Sequence, residues 1–326
     1  MKSPDLKDVY TDILLQSSGM PAQGSEAFDH IIAQCISPVN ARVERYIQQH
    51  SVGQVNEERA GGIAQGLLSG KMGWVLPSIQ PYRVVSSSEA VLKEASPVAT
   101  DPAFLGFEAT ARGLLTDGRI VDAGTLFWKN QKDHDRLDLA VMRGAVRVGR
   151  GLNRLRTNPL TVSSNATSAL LARTDFVERI LGVLNEEGFD PHQFILEILE
   201  DNDLSEGREG KCERLKDLSD AGVRLSMDDL GRKKSLANLG ILVEANIPIH
   251  EVKFDGQDTV QMTNPDRWAY MDGLLGRAND AGATQLVWEG FWKGFGVEVI
   301  SAVGRYHDSS VVASKWANPI FEGTIL

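Results

Sequence analysis

Chemically reactive side chains recur at or near the carboxyl ends of short apolar segments along this chain. They are acids, one amide and one lysine: Glu108, Asn165, Glu197, Asp228 with Asp229, Lys253 with Asp255, and Glu289. A single charge after an apolar run usually begins a solvated loop. Several such positions in register along one sheet would instead surround one cavity. Carboxylates gathered in this way either take up protons or hold hard cations.

The predicted set of oxygen ligands favours a metal site. Mg²⁺ and Mn²⁺ prefer carboxylate and amide oxygens, with water completing the octahedron, and this number of acids suits two ions. A pair of such ions clamps the attacking and leaving oxygens of an in-line phosphoryl displacement and makes hydroxide available near neutral pH. Hydrolysis of a phosphodiester is therefore the leading chemistry that these residues predict.

Lys253 allows three interpretations. It lies two residues before Asp255, so both side chains point to one face of a strand. A lysine among carboxylates keeps its proton and can orient water or stabilise charge on a phosphorane. It can also be a structural ion pair, or the Schiff-base lysine of an aldolase, although the latter needs apolar or cationic surroundings.

The elements that must position these residues follow an alternating pattern. Eight apolar segments predict strands: Tyr82–Val85, Phe104–Ala109, Leu160–Ser164, Phe194–Leu199, Val223–Met227, Glu251–Phe254, Gln285–Trp288 and Ser310–Ala313. Helical patterns separate many of them, which is typical of repeated βα units. We therefore predict an α/β fold, a (β/α)8 TIM-like barrel over residues 81–326. A doubly wound sheet is the alternative, but no Gly-rich phosphate loop follows an early strand.

The sequence of the first 80 residues predicts helices and shows no pattern of catalytic or ligand-binding residues. Their helical patterns run over Leu6–Leu15, Glu26–Cys35, Val43–His50 and Glu57–Leu68. We expect residues 1–80 to form a mainly helical regulatory or dimerisation region.

Composition excludes several classes of protein. The chain has 326 residues and a formal net charge of −10, which disfavours binding to a nucleic-acid polymer. Its two cysteines, Cys35 and Cys212, are too few for a disulfide framework. No apolar stretch approaches the roughly 20 residues of a membrane helix, and the N-terminus lacks a signal-peptide pattern. We expect a cytoplasmic protein without a membrane segment.

A row of arginines has near-helical spacing: Arg143, Arg147, Arg150, Arg154 and Arg156. Such a row is typical of a solvated helix face, and it could also attract phosphate or the acidic face of a partner.

Spaced segments from about residue 90 onwards resemble the EAL-domain phosphodiesterases of bacterial cyclic dimeric GMP signalling. The matching segments, in family order, are Gly106 to Arg112, Asp117 to Val121, Leu137 with Asp138, Val162 to Thr167, Leu196 to Glu200, Val223 to Gly231, Glu251 to Asp255, and Trp288 to Gly290. The resemblance implies a barrel that binds two Mg²⁺ or Mn²⁺ ions, is inhibited by Ca²⁺, and linearises cyclic di-GMP to pGpG. It also implies a homodimer formed through the element after the double aspartate.

The resemblance also implies a role for each matching residue. One metal ion would be bound by Glu108, Asn165, Glu197 and Asp228, and the second by Asp228, Asp229 and Asp255. Lys253, Glu289 and Asp229 would act at the catalytic centre. Arg112 and Asp138 would bind the substrate.

Several segments depart from the family pattern, and two of them adjoin predicted site residues. After Asp228 and Asp229, the sequence continues as Arg232-Lys233-Lys234 where the family usually has a small Gly-containing loop, and Trp292 replaces a second family glutamate. These departures leave two alternatives to the enzyme. One is a degenerate EAL domain that binds cyclic di-GMP or a protein partner without turnover, and the other is a protein-interaction barrel that acts through its N-terminal helices.

Overall fold

The structure is a computed structural model that describes residues 57–84, 104–116, 119–127, 133–154, 156–200, 202–255, 264–289 and 311–315. The first three predicted helices, Leu6–Leu15, Glu26–Cys35 and Val43–His50, lie outside these residues. The fourth is confirmed, since Glu57–Leu68 is an α-helix.

Among the described residues, nine strands form one sheet. They are β1 Gly73–Val84, β2 Phe104–Leu115, β3 Ile120–Val121, β4 Thr161–Ala166, β5 Phe194–Ile198, β6 Arg224–Met227, β7 Glu251–Asp255, β8 Gln285–Glu289 and β9 Val311–Lys315. From β2 through β4 to β9, successive strands pair in parallel. β1 pairs antiparallel with both β2 and β9, which closes the sheet into a barrel with β3 outside it. The predicted barrel is confirmed, and the doubly wound alternative is wrong because its sheet would not close.

Helices connect and cover the strands. They are α1 Glu57–Leu68, α2 Ala123–Leu126, α3 His134–Asn153, α4 Ser168–Leu171, α5 Phe176–Glu186, α6 Arg208–Asp220, α7 Lys233–Glu244 and α8 Asn264–Asp280. α3 shows why they cover the sheet: Leu137, Val141 and Ala145 repeat at helical spacing and are all buried. The core therefore lies between the barrel wall and the helices.

The central parallel strands are largely buried on both faces, as the centre of such a sheet requires. In β5, for example, all five residues are buried. Leu196 and Ile198 belong to the apolar core, while Glu197 alternates with them and so faces the barrel interior. An acid in such a strand needs a partner, which the neighbouring strands supply.

The first hairpin differs from the sequence prediction. β1 begins at Gly73 and β2 continues to Leu115, because the two strands pair continuously from Gly73↔Leu115 to Tyr82↔Gly106. Pro77 and Pro81 interrupt the apolar alternation by which the start of β1 would be recognised. β1 thus crosses residue 80, and the division into residues 1–80 and 81–326 stays a prediction.

Candidate functional site

A buried lysine lies at the centre of the barrel's carboxyl-terminal rim. The Lys253 side chain on β7 is 1% exposed, and its Nζ lies 2.9 Å from Glu108 Oε2, 2.6 Å from Glu197 Oε2 and 3.0 Å from Asp228 Oδ1. These partners come from β2, from β5 and from the turn after β6. The structure therefore brings together four residues that the sequence placed at separate strand ends.

The register of the strands explains this convergence. Glu108 pairs across the β2–β4 ladder with Ser163, and Asn165 pairs across the β4–β5 ladder with Glu197. Asn165 Nδ2 donates a hydrogen bond of 3.3 Å to Glu108 Oε1, and Ser163 Oγ donates one to Glu197 Oε1. Ser163 was not among the predicted residues. Its position two residues before Asn165, on the same face of β4, is the signal that could have identified it.

Negative charges outnumber positive charges in the cluster of Lys253, Glu108, Glu197 and Asp228. Three carboxylates surround one ammonium, so the group carries an excess of negative charge in a largely buried place. Buried charges are costly unless their attraction and hydrogen bonds offset the loss of hydration. A bound divalent cation would offset the remaining negative charge, as ions do in other carboxylate sites.

Asn165 supplies a test of whether the residues suit such a cation. Its Oδ1 is buried and has no hydrogen-bond partner among the described residues. Buried amide oxygens rarely go unsatisfied, and this oxygen is a ligand type that Mg²⁺ and Mn²⁺ accept. The donor set of three carboxylates and one amide oxygen therefore fits a hard divalent ion.

The carboxylates of the site point to the Lys253 ammonium. Among the described residues, no group of three or more Asp, Glu, His or Cys side chains is already arranged to hold a metal ion. An ion at Glu108, Asn165, Glu197 and Asp228 would thus have to share these oxygens with the ammonium.

The turn after β6 is fixed by its backbone. Asp228 N donates to Ile198 O at 3.0 Å, and Leu230 N donates to Lys253 O at 2.8 Å, so the turn is bonded to both neighbouring strands. Asp229 lies between these bonds with a φ of 44°, in the left-handed region. Aspartate is one of the few non-glycine residues enriched there. This conformation gives the two adjacent aspartates different partners.

Asp229 pairs with an arginine. Its Oδ2 lies 3.0 Å from Arg232 Nη2, and Arg232 Nη1 donates to Glu200 Oε1 at 2.9 Å. The sequence identified Arg232 only as part of the loop that departs from the family pattern. Glu200 was not among the predicted site residues.

Asp255 and Glu289 occupy matching strand ends. They are the last residues of β7 and β8 and pair with each other in the parallel ladder. Their positions follow the predicted pattern, and their roles stay predictions.

The two predicted substrate residues lie in different surroundings. Arg112 follows Glu108 by four residues on β2, so the two share a face, and its Nη1 donates to Ala111 O. Asp138 lies within α3 and is 2% exposed; its Oδ2 accepts bonds from Thr167 N at 3.0 Å and Thr167 Oγ1 at 2.6 Å. Burial raises the pKa of Asp138 to about 7 against these hydrogen bonds. Substrate binding by either residue stays a prediction.

A comparison with protein-family sequence models identifies the family of the chain. The sequence model of the EAL domain matches residues 96–290, which contain every predicted site residue. The chain belongs to the EAL domain family. Among curated proteins, none matches this EAL chain by sequence.

Solved EAL structures share the fold at low identity. PaMucR phosphodiesterase, in a c-di-GMP complex, has a TM-score of 0.61 and 18% identity over 79% of this chain and 94% of its own. The FimX EAL domain from Pseudomonas aeruginosa, bound to c-di-GMP, has a TM-score of 0.59 and 12% identity over 79% of this chain and 93% of its own.

A third structure contains a metal. BlrP1 from Klebsiella pneumoniae, a manganese and cyclic di-GMP complex, has a TM-score of 0.52 and 19% identity over 79% of this chain and 62% of its own. In the described part of our EAL chain, no helix has the length and apolar character needed to span a membrane.

Proposed function

We propose that this EAL domain is a cyclic di-GMP phosphodiesterase that produces pGpG and requires Mg²⁺ or Mn²⁺. The observation that carries the proposal is the convergence of Glu108, Glu197 and Asp228 on Lys253, with the Asn165 amide beside them. Membership of a family of phosphodiesterases supports the substrate class, and the manganese complex of a relative supports the cofactor class.

Each residue of the site has a separate proposed role. Glu108, Asn165, Glu197 and Asp228 would hold a divalent ion, which supplies positive charge for the phosphoryl oxygens and acidifies water. The ammonium of Lys253, held by hydrogen bonds to Glu108 and Glu197, would stabilise negative charge that develops on nearby oxygens. We propose Glu289 as the acceptor for the proton of the attacking water, and Asp229 as a further member of the catalytic centre. Arg112 is the proposed contact to a ligand phosphate.

The surroundings of Lys253 argue against the aldolase alternative. A Schiff-base lysine must lose its proton, which requires an environment that disfavours the ammonium. Three carboxylates within 3.0 Å favour the ammonium instead.

The deciding experiment incubates the purified protein with cyclic di-GMP and Mn²⁺ and separates the nucleotides by chromatography. We expect pGpG from the wild-type chain and none from Asp228→Asn. Asp217→Asn makes the same change of charge on the exposed side of α6 and should leave the yield unchanged. Absence of pGpG from the wild-type chain at any Mn²⁺ or Mg²⁺ concentration would overturn the proposal.

The second candidate is a domain that binds cyclic di-GMP without turnover. The ion pair between Arg232 and Asp229 favours it, because this arginine engages a carboxylate that the family resemblance assigns to the second ion. Calorimetric titration separates the candidates: binding without pGpG supports the receptor. Neither binding nor pGpG would favour a protein-interaction barrel.

Several finer proposals accompany the activity. We propose a cytoplasmic location, inhibition by Ca²⁺ and a regulatory role for residues 1–80. We also propose a homodimer through α7, which follows the aspartate turn and carries the exposed Val243. Light scattering would test the dimer, and Ca²⁺ added to the Mn²⁺ assay would test inhibition.

A further inference from the structure

Arg232 places a permanent positive charge beside the aspartate pair. Its guanidinium Nη2 lies 3.0 Å from Asp229 Oδ2. A guanidinium does not lose its proton in proteins, so this carboxylate faces a full cation at every working pH. An ion at Asp229 would therefore compete with a cation that is already in contact with the same oxygen.

A second carboxylate anchors the same side chain. Arg232 Nη1 donates to Glu200 Oε1 at 2.9 Å, so the guanidinium bridges the chain after β5 and the turn after β6. Two charge-assisted bonds from one planar group fix its orientation better than a single ion pair does.

The backbone also holds Arg232 in place. Arg232 N donates to Asp229 O at 3.3 Å, and Arg232 occupies the N-cap position of α7 without a side-chain capping bond. The preceding Gly231 has a φ of 134°, and a Cβ there would lie 2.3 Å from Tyr270 Oη. The backbone of the turn therefore restricts the position from which the Arg232 side chain extends.

The neighbouring aspartate, Asp228, pairs with a different cation, the Lys253 ammonium. Asp228 Oδ1 lies 3.0 Å from Lys253 Nζ, within the cluster that also contains Glu108 and Glu197. The two adjacent carboxylates are thus divided, one with the lysine cluster and one with the arginine.

We propose that Arg232 takes the place of a second divalent cation in this chain. The protein would then bind one ion, at Glu108, Asn165, Glu197 and Asp228, while the guanidinium supplies the second positive charge. Because the guanidinium fork matches phosphate oxygens, the same group is suited to contact the phosphodiester of the ligand. This inference rests on the proposed metal site, and it revises the two-ion prediction for this chain.

The test counts bound manganese without measuring activity. Mn²⁺ is titrated into the metal-depleted full chain, and the signal of unbound Mn²⁺ is followed by electron paramagnetic resonance. We expect one ion per wild-type chain. Arg232→Ser, which puts a residue favoured at helix starts in the N-cap position, should bind a second ion at least tenfold more tightly than any second ion bound by the wild-type chain.

Two further variants test whether the second ion is excluded by a positive charge at position 232 or only by the total positive charge of the loop. Lys233→Ser removes one positive charge from the next, exposed residue and should still bind one ion. Arg232→Lys keeps a cation at the turn and should also bind one. Thermal unfolding of each variant checks that it folds.

The number of ions bound by each variant supports or overturns the arginine proposal. Two ions in the wild-type chain, one ion in Arg232→Ser, or a second ion in Lys233→Ser would overturn the arginine proposal while leaving the phosphodiesterase intact. Absence of Mn²⁺ binding in all variants would overturn the proposed metal site, and the arginine proposal with it.

Discussion

Lys253 supplies the positive charge at the centre of three carboxylates, so its removal should be costly. Lys253→Met leaves Glu108, Glu197 and Asp228 close together without the ammonium. Breaking a buried ion pair in this way costs about 3–5 kcal/mol of unfolding free energy. We expect a loss of that size by urea denaturation, and saturating Mn²⁺ should recover part of it because the ion restores positive charge.

Lys216→Met is the matched control for the lysine variant. Lys216 pairs with Asp220 on the exposed side of α6, and such pairs contribute at most about 1 kcal/mol. Equal losses in the two variants would show that the lysine cluster adds no particular stability.

Asp138 makes stability depend on pH. Its folded pKa of about 7 lies above the ordinary value of 3.8, because burial and the nearby Asp135 disfavour the ionised form. Its contribution is therefore complete at low pH and is lost as pH rises towards 7 and through it. Relative to Asp138→Asn, we expect the wild-type chain to lose about 1.4 kcal/mol per pH unit between pH 5 and pH 6, and less per unit between pH 6 and pH 7 as the folded carboxyl itself ionises.

Urea denaturation at pH 5, 6 and 7 measures this slope. Asp217→Asn, on the exposed side of α6, should keep the wild-type slope. A parallel pH dependence in wild type and Asp138→Asn would contradict the raised pKa.

Sequence reasoning worked well for some site residues and failed for others. Glu108, Glu197 and Lys253 were predictable because each lies at or near the end of an apolar segment of the sequence, and parallel strands end at one rim. The bond between Arg232 and Asp229 was not, because it depends on the left-handed φ of Asp229 and on Gly231 beside Tyr270. Neither feature leaves a periodic signal in the sequence.

At the scale of elements, β2 and β4 must lie close together for Glu108 and Asn165 to meet. Gly106 permits this, since a Cβ there would lie 2.3 Å from Thr161 O. Gly106→Ala should therefore push the strands apart and cost about 1–3 kcal/mol of unfolding free energy. The same variant should weaken Mn²⁺ binding, because Glu108 and Asn165 follow on these strands.

A helix glycine provides the control for Gly106. Nothing lies within 4 Å of a Cβ at Gly182 in α5, so Gly182→Ala should stabilise the protein by up to about 1 kcal/mol. Unchanged stability and metal binding in Gly106→Ala would show that the β2–β4 spacing tolerates a methyl group.

The arginine row of α3 joins two helices. Arg143 and Arg147 donate to the Glu187 carboxylate, and Arg150 donates to Glu187 O at the end of α5. Burial raises the pKa of Glu187, but the bonds from Arg147 and Arg143 outweigh it and leave the pKa below its ordinary value. The row is thus in part a helix-to-helix contact, where the sequence alone favoured a solvated face.

Glu187→Gln tests this contact. Losing two charge-assisted bonds should cost about 1–3 kcal/mol at pH 7, measured by urea denaturation. The loss should shrink as the pH falls through the lowered pKa of Glu187, because the wild-type carboxylate is then protonated too. Glu186→Gln, whose side chain is 61% exposed, should cost less than about 1 kcal/mol. Larger losses at Glu186 than at Glu187 would contradict the contact.

For the whole molecule, closure of the barrel requires residues on both sides of position 80. α1 contributes Ala60, Ile63 and Leu67 to the same apolar core as the strands, and β1 begins at Gly73. A chain beginning at residue 81 lacks α1 and most of β1, so we expect it to lose cooperative thermal unfolding. A chain beginning at Gln54 keeps both elements and should unfold in one transition.

Calorimetry of the two shortened chains measures this difference. Cooperative unfolding of the chain from residue 81 would show that the barrel is stable without the β1–β2 hairpin. That outcome would favour the predicted boundary between residues 80 and 81.

The short pairing of β1 with β9 has a consequence for how the protein is made. It joins Tyr82 to Lys315 and Val84 to Ala313, whereas β1 and β2 pair within one local hairpin. Contacts between such distant residues form slowly, because the long intervening chain must first be ordered. During synthesis the barrel cannot close until residue 315 has left the ribosome, so until then the growing chain exposes the edges of an unfinished sheet to chaperones.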